Sequence, residues 1–310
     1  MSTPATPARG PDLRVAALRR FAIGITVLTV LGHLWLGFES AYAYVVVALL
    51  TAYAMEFILE ATDARATGRA ARYHGGALAV VDFLLPAHIT GLACALLLYP
   101  GERLWPIAFA VAVATASKTV FRVPLGAGTR HFFNPSNAGI TVTLLLFPSV
   151  GIAPPYHFTE NLSGIGNLVL PGLLLLIGTF LNWRFTGKLP LIAAWLAGFM
   201  LQALTRHWLL GAPLGPALGP MTGVAFLLFT LYMVTDPGTT PVRPRAQIAF
   251  GASVAAVYGV LMASHVVFGL FFALSLVCAV RGGFIYLHAR GWLPQPARLR
   301  VAALDKQVSS

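Results

Sequence analysis

Residues 77–99 read ALAVVDFLLPAHITGLACALLLY, a stretch of 23 residues interrupted by one carboxylate, Asp82, and one imidazole, His88. As a helix rising about 1.5 Å per residue it is long enough to cross the ~30 Å hydrocarbon core of a bilayer. Apolar runs of the same kind recur near 21–38, 41–58, 104–121, 135–151, 165–183, 189–206, 221–235, 246–262 and 265–281, separated by charges or by Gly/Pro clusters. The chain is 57% hydrophobic and 10% charged, with a mean hydropathy of +0.77, where a soluble domain carries about a quarter charged residues. A chain of this length cannot enclose so much apolar surface in its own core, so lipid must solvate most of its side chains. Ten spans of about 20 residues occupy about 200 positions. The remainder suffices for tails and short loops and leaves no room for a second soluble domain.

Positive charge tests this map independently, because cytoplasmic loops retain Lys and Arg. With the N-terminus inside, 19 of the 21 Lys and Arg residues fall on the cytoplasmic side, and only Arg103 and Arg206 fall outside. The expected fold is therefore an all-α integral membrane protein of ten transmembrane helices with both termini cytoplasmic, a multi-pass protein of the bacterial inner membrane. Its parts are a tail over 1–20, a transmembrane domain over 21–282 and a tail over 283–310. The net charge of +11 follows from this topology and from apposition to anionic headgroups, and nucleic acid is not an expected partner. No apolar leader precedes the first span. Cys94 and Cys278 lie inside apolar runs, where a thiol is a small buried hydrophobe.

An even ten divides into two sets of five, about 21–151 and 165–281, and five spans return the second set in the opposite orientation, as in inverted-repeat membrane proteins. Thr90-Gly91 in the third span has a counterpart in Thr222-Gly223 of the eighth. Two spans, from 135 and from 221, are short and flanked by Pro and Gly, so they read as broken or partly re-entrant segments packed inside protein.

Two segments carry candidate chemistry. In Arg130-His131-Phe132-Phe133-Asn134-Pro135-Ser136-Asn137, Asn134 is a good N-cap and Pro135 suits the first helical position. Free N–H groups at that helix end, with Lys118, Arg122, Arg130 and His131 on the same side, favour an anion or a polar ring edge; the plainer reading is a capped helix with positive-inside flanks. In Thr235-Asp236-Pro237-Gly238-Thr239-Thr240-Pro241 a turn ends the eighth span, and its hydroxyls either satisfy the last helical carbonyls or, with Asp236, bind a polar cofactor or line a cation path. Asp82, His88 and Thr90 are candidates for an ion or proton path, since ionisable groups at membrane depth are costly without a role or a partner. His33 and His265 read as hydrogen-bonded structural groups. In the outer loop, Tyr156, His157 and Phe158 beside Glu160 and Asn161 read either as an aromatic lid or as part of an interfacial aromatic belt. No metal-binding, P-loop or nucleophile-elbow motif occurs.

Phe133-Asn134-Pro135 with Gly139 and Phe147-Pro148, then Thr222-Gly223-Val224-Ala225-Phe226 running into Thr235–Pro241 and Phe250-Gly251, together with Asp82 and Thr90-Gly91, resemble the RnfD/NqrB family of membrane electron-transport subunits over residues 80–255. His88, Lys118, the stretch 130–137, the stretch 147–155, Phe158-Thr159-Glu160-Asn161, Leu191 and Trp195 are most similar to its single-protein, enediyne-biosynthesis-associated (UnbU-like) branch. The resemblance implies ten helices in two inverted halves, a bound flavin and electron transfer across or along the membrane, with partner proteins or quinone as exchange partners. Members with covalent FMN attach it to a Thr in an outer Ser/Asp-Gly-Ala-Thr-type segment. The 13-residue loop 151–163 lacks that segment, and Gly126-Ala127-Gly128-Thr129 falls on the cytoplasmic side. The resemblance therefore implies FMN or riboflavin held non-covalently. Expected cofactor-binding groups are Asn134, Pro135, Ser136, Asn137, Thr222, Gly223, Thr235, Asp236, Thr239 and Thr240, with Lys118 and Arg130 supplying charge. No catalytic residue is assigned. The alternative of a different class is a transporter or channel for a small solute, cation or natural product, which inverted five-helix halves also suit.

Overall fold

The computed structural model describes residues 13–125, 128–154 and 158–292. Over these residues the protein is all-helical apart from two small antiparallel strand pairs. Among the described residues seven helices are long and apolar enough to cross a membrane, and there are eight if the bent pair Leu214–Thr222 and Val224–Met233 counts as one span. This is a multi-pass membrane protein in its helices: large apolar side chains such as Ile23, Leu50, Leu176 and Leu201 face outward, where lipid and not water must meet them.

Helix α1 (Leu13–Leu31) continues through a π-helical turn, Gly32–Leu36, and stops at Gly37, which takes a left-handed φ of 76° and donates its N–H to the Gly32 carbonyl. Helices α2 (Tyr42–Thr67) and α3 (Ala77–Leu97) follow, then the shorter α4 (Trp105–Val120) and α5 (Pro135–Leu146). In the second half α6 (Gly166–Leu181) again passes into a π-helical turn, Asn182–Thr186, and stops at Gly187, with φ 62° and its N–H on the Asn182 carbonyl. Then come α7 (Leu189–Leu210), α8 (Leu214–Leu218), α9 (Val224–Leu228), α10 (Pro244–Ala263) and α11 (Gly269–Ala289). The order of packing recurs as well. In the first half α1 lies on α3, α2 on α3 and α4, and α4 on α5; in the second α6 lies on α9, α7 on α8 and α10, and α10 on α11.

Small residues make the closest of these approaches possible, as is usual where helices pack in lipid. A methyl added to Gly139 of α5 would overlap the Ala110 carbonyl of α4, and one added to Gly251 of α10 would come within 2.6 Å of the Leu191 carbonyl oxygen of α7.

Of the two segments that the sequence marks as broken or partly re-entrant, the one around α8 and α9 is broken, whereas α5 is short but continuous. Helix α5 has 12 residues and is buried along most of its length, and the segment around α8 and α9 bends by 65° at its break. Several helices outrun their apolar stretches: α2 continues to Thr67 and α11 to Ala289, because charged ends project beyond the hydrocarbon layer.

Contacts between connecting segments fall into two sets. One brings Lys188 onto Pro241, Arg281 onto Thr239 and Gly238 against His131. The other pairs β1 (Leu98–Tyr99) with β4 (Gly151–Ile152) and ties Asn161 to the Trp35 carbonyl. Tyr156 and His157 lie outside the described residues. Their neighbour Phe158 is wholly buried, edge-on to Phe38, so it fills the core and covers no opening.

Candidate functional site

The site is built where the N-terminus of α5 meets the segment after α9. Asn134 caps α5: its Oδ1 accepts from the Asn137 N–H at 3.0 Å and from the Ser136 hydroxyl at 2.9 Å, and its Nδ2 donates to the Met233 carbonyl at 3.3 Å. Pro135 occupies the first helical position, where its missing N–H costs nothing. One turn on, Asn137 donates to the Phe271 carbonyl and to the Ser275 hydroxyl of α11, and Thr141 joins the same two groups. The cap thus fastens the first half to two elements of the second. Both free thiols flank it, Cys94 against the Ser136 carbonyl and Cys278 against the Asn134 backbone.

Opposite the cap, Asp236 organises a turn. Its Oδ1 accepts from the Gly238 N–H at 2.9 Å, its Oδ2 from the Thr239 hydroxyl at 3.0 Å, and its carbonyl from the Thr240 hydroxyl at 2.6 Å. Thr235 donates back to the Leu231 carbonyl. Gly238 permits the approach of His131, whose Nε2 would lie 3.0 Å from an added methyl.

Two cations converge on this turn. Lys188, 3% exposed, donates from Nζ to the Pro241 carbonyl at 2.6 Å, and Arg281 donates to the Thr239 carbonyl at 2.6 Å. Burial pushes the Lys188 ammonium down to about 8; Asp236 opposes that shift and Arg281 adds to it. A buried ammonium with one carbonyl acceptor retains unused donors, since Lys carries three. Asp236 spends its two oxygens on a turn N–H and a hydroxyl. The cluster is therefore electropositive, with donors left over for an anion.

The remaining expected residues go elsewhere. Thr222 is exposed, donating to the Gly219 carbonyl at the α8–α9 break, and Gly223 is the N-cap of α9. They stand at the opposite end of Val224–Met233 from Asp236, about 15 Å away along the helix axis at the usual rise, so Thr222 and Gly223 cannot share a small ligand's polar group with it. Lys118 is withdrawn by a 2.6 Å ion pair to Glu56 inside the helix packing. Arg130 is exposed on β3 (Gly128–His131) of the β2 (Arg122–Leu125) hairpin. Asp82 holds Arg19 through two 2.7 Å hydrogen bonds and joins α3 to α1. Thr90 donates to the Pro86 carbonyl, a local helix bond, and Gly91 packs on Ala48 and Ala52 of α2.

His88 bridges three helices at mid-length. Its Nε2 lies 2.7 Å from the Thr26 hydroxyl of α1 and its Nδ1 2.6 Å from the Tyr53 hydroxyl of α2. The Thr26 hydroxyl proton is directed to the Ala22 carbonyl, which leaves Thr26 to accept. Counting donors, the imidazole carries its proton on Nε2 and accepts from Tyr53 on Nδ1. His33 is held between the Thr29 carbonyl and the Ser40 hydroxyl, while His265 sits in the α10–α11 turn with a φ of 58°.

Sequence reading missed Lys188 and Arg281 as site residues, although a signal was present: between Glu160 and Asp305, Asp236 is the sole acidic residue, against nine Lys and Arg. It also missed Glu56 and Glu60, acids buried on one face of α2. No family model and no curated protein matches the chain.

Proposed function

We propose that this protein is a ten-span membrane redox protein of the bacterial inner membrane that holds a flavin non-covalently on its cytoplasmic face, in two inverted five-helix halves with both termini cytoplasmic. The observation that carries the cofactor reading is the pair Lys188 and Arg281, two cations brought onto one turn whose only carboxylate is already engaged. Such a cluster fits the phosphate of FMN or the electron-rich carbonyl edge of a reduced flavin ring. The side chains expected to bind the ring, Asn134, Ser136, Thr235, Thr239 and Thr240, are spent on internal bonds. They shape the turn, and the cations hold the ligand. A bound flavin supplies one- and two-electron chemistry, exchanging electrons with partner proteins or quinone; the chain's own groups bind and orient it and set its charge. The repeated π-helical turns, glycine stops and packing order support the inverted halves, with α4, α5 and the bent α8–α9 segment as the three spans that fall short of full length.

The test is the visible absorbance and fluorescence of protein purified from flavin-replete cells, with mass spectrometry of released small molecules. Bound flavin that Lys188→Met weakens supports the reading; flavin-free protein under those conditions overturns it.

One observation favours a second reading, a transporter or channel. The Tyr53–His88–Thr26 chain places a proton-accepting imidazole between three helices at mid-membrane. Proton or solute flux into proteoliposomes that His88→Gln abolishes, from protein lacking flavin, would select it.

A further inference from the structure

Away from that site, a groove of about 440 Å³ runs between α7 and α10. Its floor is made by small residues, Gly198, Ala252, Ala256 and Gly259, and its rims by side chains such as Leu209 and Val260 that stand exposed where lipid surrounds the helices. Three polar residues interrupt this apolar lining, and one of them, Thr205, donates its hydroxyl to the Leu201 carbonyl of its own helix. Gln202 is 8% exposed; its amide N–H is donated to the Phe199 carbonyl, and its Oε1 has no partner among the described residues. One turn further along the same face, the Arg206 Nε is buried and likewise unpartnered. An orphaned buried acceptor and an orphaned charged donor about 6 Å apart along the helix axis are costly unless something completes them.

Position narrows what that something is. Arg206 is in the last turns of α7, at the end away from Lys188. From there to Gly198 the groove descends along eight residues, about 12 Å of helix, which seats the headgroup-proximal half of one acyl chain.

We propose that this groove binds an anionic phospholipid whose headgroup carries a hydroxyl beside its phosphate, as in phosphatidylglycerol. The Arg206 and Gln202 side chains turn outward to meet it, so that the phosphate accepts from Arg206 Nε and the hydroxyl donates to Gln202 Oε1, and one chain lies over the small residues of α10. A charge-assisted bond to a phosphate, the apolar floor and the orphaned acceptor are each satisfied by that one amphiphile. This inference does not rest on the flavin reading and concerns the opposite end of the helices.

The experiment is native mass spectrometry of the full-length protein released from nanodiscs of phosphatidylglycerol, of phosphatidylcholine and of an equal mixture. The wild type should retain phosphatidylglycerol preferentially, R206Q should lower that retention about tenfold, the equivalent of one charge-assisted hydrogen bond, and A256W should displace the chain while keeping the guanidinium. Soluble glycerophosphoglycerol, which has the headgroup and no chains, should fail to compete. Equal retention of the two lipids by the wild type, or retention unchanged in both R206Q and A256W, overturns the proposal. Competition by the chainless headgroup at the lipid's own concentration overturns it too, because the site then serves a free phosphate ester. Should R206Q fail to fold, R206K keeps the charge but not the fixed Nε donor, and preference retained in full by R206K and A256W together has the same meaning.

Discussion

The two halves of the molecule treat charge in opposite ways. In the first, acids and bases meet in pairs around the buried Glu56 and Glu60: Glu56 meets Lys118, Glu60 meets both Arg69 and Arg72, Asp63 meets Arg69, and Asp82 meets Arg19. In the second, Lys188 and Arg281 are directed onto backbone carbonyls beside a single carboxylate that is already engaged. The first arrangement fastens α1 to α3, and α2 to α4, and leaves nothing over. The second leaves positive potential and unused donors at a junction between the halves. Similar helix packing thus supports one half whose buried acids are each paired with a base and another in which two cations outnumber the single carboxylate beside them.

The largest expected effect tests the scaffold. Glu56→Leu strands Lys118, only 15% exposed along its side chain, and should destabilise the protein by about 3 kcal/mol or more in thermal unfolding in detergent. The double variant Glu56→Leu with Lys118→Met should recover most of that loss, because replacing a whole buried pair is often neutral. If the double variant is as unstable as the single one, the pair is not self-contained.

Lys188→Met sharpens the contrast from the other side. Removing a buried cation that has no carboxylate partner should leave the melting temperature unchanged or raise it, yet lower flavin retention about tenfold, the value of one charge-assisted hydrogen bond. A fall in stability as large as that of Glu56→Leu would put Lys188 in the scaffold.

Acidity separates the halves again. Burial holds Lys188 at about 8 in the folded protein, against 10.5 ordinarily. Between those values the unfolded chain binds more protons than the folded one, so stability should rise as the pH is raised from about 8 towards 10.5. Anion or flavin binding should weaken over the same rise, as Lys188 loses its charge. Lys188→Met should remove both trends in pH-dependent melting and flavin titration.

The smallest effect belongs to the His88 bridge between three helices. His88→Ala leaves the Tyr53 hydroxyl without its acceptor and should cost about 1–2 kcal/mol, with His88→Gln costing less. Neither should alter flavin retention if the ligand lies on the cytoplasmic face.

Much of the architecture is legible in residue order. The apolar stretch from 135 is too short for a bilayer and opens with Asn-Pro, and the structure turns it into a buried 12-residue helix capped by Asn134. Pro220 and Gly223 likewise mark the bend before α9. The site was legible only in its polar half. Asn134 and Asp236 announce themselves as cap and turn residues because their bonds are local. Lys188 and Arg281 look like ordinary positive-inside residues, since the carbonyls they reach lie 53 and 42 residues away.

The sequence by itself determined the solvent, because hydrophobicity is summed over the chain and requires no knowledge of contacts. Only the tertiary structure decided which charges are neutralised. Whether Lys118 is free for a ligand depends on Glu56 facing it from another helix, and whether Lys188 is in surplus depends on how Asp236 spends its oxygens. Both are pairings between residues distant in sequence, settled by close packing and by the cost of leaving a buried charge unmatched.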